Sequence, residues 1–125
     1  MAVIRSTETR RSETGAGVMT TFASPTLGGA GSAVWRVEVG ADVAGPLHVF
    51  DAEQVWVFVE GGATIELGDQ TVSVTAGDTV IMPAGTPRKV AGDPTLGFSA
   101  IVTAPAGAKA GVPGGATGAT PPWIQ

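Results

Sequence analysis

Three polar side chains of this chain have, as a set, the chemistry of a small active site. His48 is the only histidine, and its imidazole titrates near neutral pH, so it can accept or donate a proton. Arg88 carries a permanent charge on a planar donor fork that suits a carboxylate, phosphate or enolate oxygen. Gln54 offers both a donor and an acceptor. Such a set suits proton transfer, with His48 as acid and base while Arg88 and Gln54 stabilise developing negative charge.

The segment that holds these residues has a characteristic spacing. It reads Gly-Pro-Leu-His-Val-Phe-Asp-Ala-Glu-Gln at 45–54, Val-Trp-Val-Phe-Val-Glu-Gly-Gly at 55–62 and Gly-Asp-Thr-Val-Ile-Met-Pro-Ala-Gly-Thr-Pro-Arg at 77–88. This spacing resembles the two sequence motifs of the cupin superfamily, whose members are small β-barrels with a pocket inside. The resemblance extends over residues 33–103. It implies an all-β, cupin-type jelly-roll barrel.

The resemblance also shows what this chain has lost. In most cupins four motif positions carry two histidines, a glutamate and a third histidine, which together hold a metal. The matching positions in this chain are His48, Phe50, Gln54 and Arg88. A phenyl ring binds no metal, a guanidinium repels one, and an amide oxygen is a weak ligand, whereas a zinc site takes about three protein ligands or more. We therefore expect no tightly bound metal, and a divalent cation at His48 and Gln54 is the alternative.

The resemblance and the alternation of strand side chains together predict the wall of the pocket. If His48 points inward, residues two positions apart on the same strand do so too, and the motif positions on neighbouring strands join them. The predicted pocket residues are His48, Phe50, Gln54, Trp56, Phe58, Arg88 and Val90, with Trp35 and Phe98 as neighbours from flanking strands.

The polar members of this set also have plainer interpretations. His48 can be a hydrogen-bonded core residue, and Arg88 can form an ion pair with Asp51 or Glu53 at the rim. The same two acids would complete a metal site only if their loop bent inward. The aromatic side chains at positions 56 and 58 can be core packing instead of a ligand platform.

The remaining sequence predicts short strands joined by turns, because the chain contains 19 Gly and 9 Pro and has no helical stretch. It divides into a polar N-terminal arm at 1–16, a barrel at 17–104 and a Gly/Ala/Pro-rich tail at 105–125. An edge strand is expected in the arm at Ala2–Arg5. The tail is either disordered or docked through Trp123-Ile124, since an exposed terminal indole is unfavourable in water.

Two glycine-containing pairs are expected to turn hairpins within the barrel. Gly61-Gly62 follows the apolar strand predicted at Gln54–Glu60, and Gly68-Asp69 follows the strand predicted at Ala63–Leu67. Glycine readily adopts the positive φ that tight hairpin turns require.

Composition limits the classes of function. The net charge is −4 with only 7 Lys and Arg residues, so a nucleic-acid surface is not expected. There is no Cys, which excludes disulfides and thiolate chemistry. No apolar run approaches the ~18 residues of a membrane span, and the charged N-terminus does not resemble a signal peptide. We expect a cytoplasmic protein that forms a homodimer, because an open sheet edge favours pairing. The strand expected at Ala2–Arg5 of the N-terminal arm is the candidate for exchange.

The predicted pocket combines aromatic walls, one base and strong donors, which favours an anionic or keto-rich organic ligand. Cupins of this size include polyketide cyclases, isomerases and epimerases, so the resemblance implies isomerisation or cyclisation if the protein is catalytic, and the altered ligand positions imply that no metal takes part. A fold alone does not fix a function. The alternatives are a ligand-binding or sensing cupin without catalysis, and a metal-dependent cupin enzyme such as a dioxygenase.

Overall fold

A computed structural model describes residues 1–115 and 118–125. These residues form strands and loops without a helix, so none of their elements is a helix that could cross a membrane. The all-β class predicted from the sequence is thereby confirmed. The strands are β1 (Arg10–Thr14), β2 (Gly17–Ala23), β3 (Ser32–Val39), β4 (Val49–Phe50), β5 (Gln54–Leu67), β6 (Gln70–Thr75), β7 (Thr79–Met82), β8 (Arg88–Gly92), β9 (Phe98–Pro105) and β10 (Ala110–Gly111).

Eight of the strands form one antiparallel sheet. Its main path runs β1-β2-β3-β9-β5-β6, and β7 and β8 both add to β5. The other two strands, β4 and β10, pair with each other. Alternate residues of β3, β5 and β9 are buried, as expected of strands with one face on a core. The sheet therefore encloses an interior into which one face of these strands points.

The prediction of a hairpin at Gly61-Gly62 is wrong. Residues Gln54–Leu67 form one continuous strand whose first part pairs with β7 and β9 and whose second part pairs with β6 and β8. Gly61 does have a positive φ of 69°, but a register shift beside it lets the chain bend and continue. By contrast, Gly68-Asp69 does join two paired strands, with Leu67 opposite Gln70.

The N-terminal arm supplies a strand at a different place from the one expected. No strand forms at Ala2–Arg5, whereas Arg10–Thr14 pairs with β2 of the same chain, with Thr14 opposite Gly17. The short turn at Gly15-Ala16 makes this pairing local, which lowers the entropy lost in forming it. A homodimer stays a prediction, and the segment expected to be exchanged, Ala2–Arg5, forms no strand in this structure.

The C-terminal tail is docked on the barrel. Ile124 is fully buried, and the Thr21 hydroxyl donates to the Trp123 carbonyl at 2.8 Å. The backbone N–H and the hydroxyl of Thr26 both donate to the Gln125 carbonyl, at 2.9 and 2.7 Å. These bonds favour the docked alternative for the end of the tail. Positions 116 and 117 of the predicted tail lie outside the described residues.

We predict that Gly61→Ala strongly destabilises the fold. A Cβ atom at this position would clash with the Gly97 carbonyl oxygen, on top of the strain of a positive φ. The expected loss of unfolding free energy is about 3 kcal/mol or more. Gly29→Ala is the matched control, because Gly29 has the same φ of 69° and a Cβ added there would meet no atom within 4 Å.

The control substitution is expected to cost about 1 kcal/mol from backbone strain alone. Urea denaturation followed by tryptophan fluorescence measures both variants. Equal losses in the two would show that close packing around the bend of β5 contributes nothing.

Candidate functional site

A cavity of about 770 Å³ lies inside the barrel. Its walls are mostly apolar, and its size falls in the range that suits drug-sized organic ligands. Residues of β2, β3, β5, the β1–β2 turn, the segment before β4, and the tail contribute to it. The lining comprises Thr14, Gly15, Ala16, Gly17, Met19, Trp35, Val37, Val39, Ala44, Gly45, Pro46, Leu47, His48, Phe50, Gln54, Trp56, Lys89, Val90, Phe98, Ala110, Pro121 and Trp123.

Most of the residues expected in the pocket line this cavity, and two do not. Phe58 is fully buried behind it, between the rings of Trp56 at 6.0 Å and Phe98 at 5.2 Å. Arg88 is also fully buried and is absent from the lining. The structure brings together at the cavity wall Trp35, His48, Phe50, Gln54, Trp56, Val90 and Phe98.

His48 is held in one tautomer. Its Nδ1 lies 2.8 Å from the carbonyl oxygen of Pro46. A carbonyl has no proton to give, so Nδ1 must carry the hydrogen and donate it. In the neutral imidazole, Nε2 then has a free lone pair. The residue is only partly exposed, and its edge-to-face contact with Phe50, at 5.5 Å between ring centroids, restricts its ring.

The surroundings keep His48 neutral at physiological pH. Burial lowers the pKa of His48 below its ordinary value of 6.5, and the positive charge of Arg88 lowers it further, while the bond to Pro46 opposes both. The imidazole is therefore a proton acceptor above that lowered pKa and an imidazolium below it. This is the protonation state that a general base or a neutral hydrogen-bond acceptor needs.

Arg88 is satisfied by oxygen atoms of the protein. Its Nε donates to the Thr86 carbonyl at 3.1 Å, and its Nη2 donates to the carbonyls of Thr86 and Pro83, both at 2.9 Å. Its Nη1 donates to Gln54 Oε1 at 3.4 Å. The guanidinium carbon also lies 5.7 Å from the centre of the Phe50 ring. Burial lowers the pKa of Arg88 to about 10, so the group stays charged at neutral pH.

The rim ion pair considered for Arg88 does not form among the described residues. Asp51 instead accepts the backbone N–H of Lys109 at 2.7 Å, and both Asp51 and Glu53 are exposed. The charge of Arg88 is thus held by neutral acceptors in the interior. Its N–H groups donate to carbonyl and amide oxygens of the protein, and Arg88 does not line the cavity, so it makes no direct contact with a ligand there.

Gln54 has one satisfied and one unsatisfied end. It is only 1% exposed. Its Oε1 accepts the indole N–H of Trp56 at 3.0 Å and Nη1 of Arg88 at 3.4 Å. Its Nε2 is buried and has no hydrogen-bond partner among the described residues.

This donor set does not fit a metal ion. The described residues contain no cluster of three or more His, Cys, Asp and Glu side chains, and no acid is among those that line the cavity. The one amide oxygen that could serve, Gln54 Oε1, already accepts two N–H groups. The guanidinium beside it would repel a cation. His48 Nε2 is then a single ligand, well short of the three or more that hold zinc.

Comparison with known proteins now places the chain. A family model described as the cupin domain matches residues 33–96. The chain belongs to the cupin family. The resemblance read from the motifs is confirmed, and so is the jelly-roll fold.

Solved structures agree with the fold of this cupin. The polyketide cyclase RemF from Streptomyces resistomycificus is 22% identical with a TM-score of 0.72, and the match covers 84% of this chain and 79% of that one. Vicilin from the hazelnut Corylus avellana is 20% identical with a TM-score of 0.71, covering 84% of this chain and 35% of that one. Oxalate decarboxylase from Bacillus subtilis at pH 4.6 is 14% identical with a TM-score of 0.72, covering 79% and 27%.

These identities show the shared fold alone. The cupin described here corresponds to only about 27% of the oxalate decarboxylase chain. Among curated proteins no sequence matches it significantly.

Part of the cavity wall comes from residues outside the cupin motifs, which the motif spacing does not predict. Trp123 and Pro121 of the tail line the cavity, as do Met19 and the turn at Thr14–Gly17. The terminal aromatic residue was the available signal, since docking through Trp123 was one of two expectations for the tail. The turn carried no signal, because small residues in a turn do not indicate a binding wall.

We predict that Thr21→Val weakens the docking of the C-terminal tail, whose Pro121 and Trp123 line the cavity. The fully buried hydroxyl of Thr21 donates to the Trp123 carbonyl, and valine has nearly the same shape without a donor. Unfolding free energy should fall by about 1–2 kcal/mol, and limited proteolysis should cut the tail faster. Thr20→Val, on the opposite face of the same strand, is the control and should behave like the wild type. Unchanged tail cleavage in Thr21→Val would contradict this role.

Proposed function

We propose that this cupin binds a flat organic molecule in its apolar cavity and, without a tightly held metal, transfers protons within it through His48. The observation that carries the proposal is the state of His48 at the cavity wall. Its Nδ1–H is fixed by Pro46, and its pKa is lowered, so Nε2 is a free base at neutral pH. A base with these properties is suited to isomerisation or ring closure.

The proton-transfer step needs no partner beyond the ligand. His48 Nε2 accepts a proton from a carbon next to a carbonyl, the C–H bond breaks, and its electron pair moves to form an enolate. The imidazolium then returns the proton to a different carbon or to the oxygen. The net change is a redox-neutral isomerisation, or a cyclisation if the enolate carbon attacks a second carbonyl of the same ligand.

The apolar walls support this chemistry. Trp35, Trp56 and Phe98 line the cavity, and aromatic side chains in such a wall can pack against a planar ligand and exclude water. The similarity to a protein named as a polyketide cyclase is consistent with such a ligand, although at 22% identity it is a similarity of fold. A ligand-binding or sensing cupin without turnover would use the same cavity. Turnover distinguishes the two.

We predict that the protein accelerates hydrogen–deuterium exchange at the carbon next to the carbonyl of 2-tetralone, a bicyclic ketone used as a probe. The rate in D₂O, followed by NMR, should rise with pH as His48 loses its proton and level off above a midpoint below 6.5. His48→Ala should reduce exchange to the buffer rate. The imidazole signals of the single histidine give the same midpoint independently.

Binding of 2-tetralone without faster exchange would favour the non-catalytic module. Exchange that persists in His48→Ala would remove His48 from the catalytic role. A midpoint above 6.5 would contradict the effect of burial and of the Arg88 charge on the imidazole.

We also predict that the purified protein contains less than about half an equivalent of Fe, Zn, Ni or Mn, because one free ligand atom is too few to hold such an ion. Elemental analysis after preparation without chelator or a metal-binding tag measures this. A near-stoichiometric metal content that disappears in His48→Ala would favour the metal-dependent enzyme instead.

A further inference from the structure

The side-chain amide of Gln54 is a polar group that the fold leaves incomplete. It is 1% exposed, and its Nε2 finds no acceptor among the described residues. Leaving a buried donor unpaired costs roughly 1–3 kcal/mol, and native proteins retain few such groups without a reason. Gln54 is among the residues that line the cavity, and its Nε2 is shielded from solvent in this structure. A ligand oxygen that enters beside the amide and displaces this cover can supply the missing acceptor.

The orientation of this amide is determined by its neighbours. The indole N–H of Trp56 and the guanidinium of Arg88 are donors only, and both contact the same end of Gln54, at 3.0 and 3.4 Å. Turning the amide over would place its NH₂ against two N–H groups. The free end is therefore the NH₂ donor, and Gln54 offers an incoming ligand hydrogens and not an oxygen.

The same contacts make the free end a stronger donor. Two N–H groups, one of them cationic, draw electron density from Oε1, and in an interior of low dielectric such polarisation passes along a chain of hydrogen bonds. Arg88 thus acts on a ligand through Gln54 and not by contact, as a positioning residue. Its remaining hydrogen bonds go to carbonyl oxygens of the chain.

We infer that Gln54 Nε2 binds a carbonyl or enolate oxygen of the ligand, so that the ligand class is the flat ketone or enol. The inference rests on the proposed function for the presence of a ligand in this cavity. His48 and Gln54 are complementary, one with a free acceptor and the other with free donors. A keto–enol compound presents an oxygen acceptor and a donor hydrogen, one for each residue.

The test compares 2-acetylnaphthalene with 2-ethylnaphthalene, which have similar shape but differ in the carbonyl. In calorimetric titration, the wild type should bind the ketone at least about 10-fold more tightly than the hydrocarbon, although the ketone is the less hydrophobic of the two. Only the ketone satisfies the buried donor. Gln54→Glu is the informative variant. It keeps oxygen acceptors for Trp56 and Arg88 but has no N–H to give, so the ratio of ketone affinity to hydrocarbon affinity should fall to the value expected from hydrophobicity alone.

A second measurement does not depend on any variant. In ¹⁵N-labelled wild type, the Gln54 NH₂ signals should shift on addition of the ketone and stay in place with the hydrocarbon. The inference would be overturned if the two probes bound equally well, if neither bound, or if the ketone preference survived in Gln54→Glu. The partner of the Gln54 amide would then be water and not a ligand oxygen.

The two proposals fail separately. A ketone preference that depends on Gln54, without proton exchange in 2-tetralone, supports the oxygen site and contradicts catalysis by His48. Proton exchange that depends on His48, without a ketone preference, supports catalysis by His48 and contradicts the oxygen site at Gln54.

Discussion

The guanidinium of Arg88 is completely buried, and the chain satisfies it with carbonyl and amide oxygens instead of a carboxylate. Burying a charge is costly unless its hydrogen bonds are made, so the groups around the guanidinium must keep the positions that satisfy it. The corner between β7 and β8 must aim the carbonyls of Pro83 and Thr86 inward. Gln54 must turn its oxygen toward Arg88. The imidazole of His48, whose backbone pairs with that of Arg88 through two hydrogen bonds, must titrate beside a positive charge.

The long strand β5 brings this polar group and the apolar interior together. Its first part places Gln54 and Trp56 on the inner face between β7 and β9, and its second part runs on between β6 and β8. A hairpin at Gly61 would have separated the two halves. A bend retains continuous backbone pairing while changing the partner strands, and it requires a residue that tolerates a positive φ in close contact with the backbone of Gly97. The shape of the barrel therefore depends on a glycine outside the site.

The fold was largely predictable because the cupin motifs combine turn residues, alternating strands and fixed spacing, and each of these has a local cause. The resemblance to the cupin motifs implied that His48 and Gln54 face the pocket, and strand alternation extended this expectation to Trp56. The bend at Gly61 was not predictable, because a glycine pair serves a turn or a bend equally well, and the choice depends on strands distant in sequence. The place of Arg88 was missed for a related reason. Residue type and motif position put it at the pocket, but only the backbone carbonyls of the Pro83–Thr86 corner determine that its fork turns away from the cavity.

These contacts also give a physical account of the altered motif positions. In this chain the positions that hold a metal in most cupins read His48, Phe50, Gln54 and Arg88, and they remain neighbours: Arg88 contacts Gln54, lies near the Phe50 ring and pairs with the backbone of His48. Where most cupins hold a metal cation, the positive charge in this chain is the guanidinium of Arg88. A metal would bind ligand atoms directly. Under the proposed function, a guanidinium enclosed by carbonyls acts instead through the polarised amide of Gln54 and the lowered basicity of His48. Under the proposed function, Arg at a ligand position turns a coordinating site into one that donates and accepts hydrogen bonds. Arg88 and Trp56 together orient the amide of Gln54 for this role, because both donate to its oxygen.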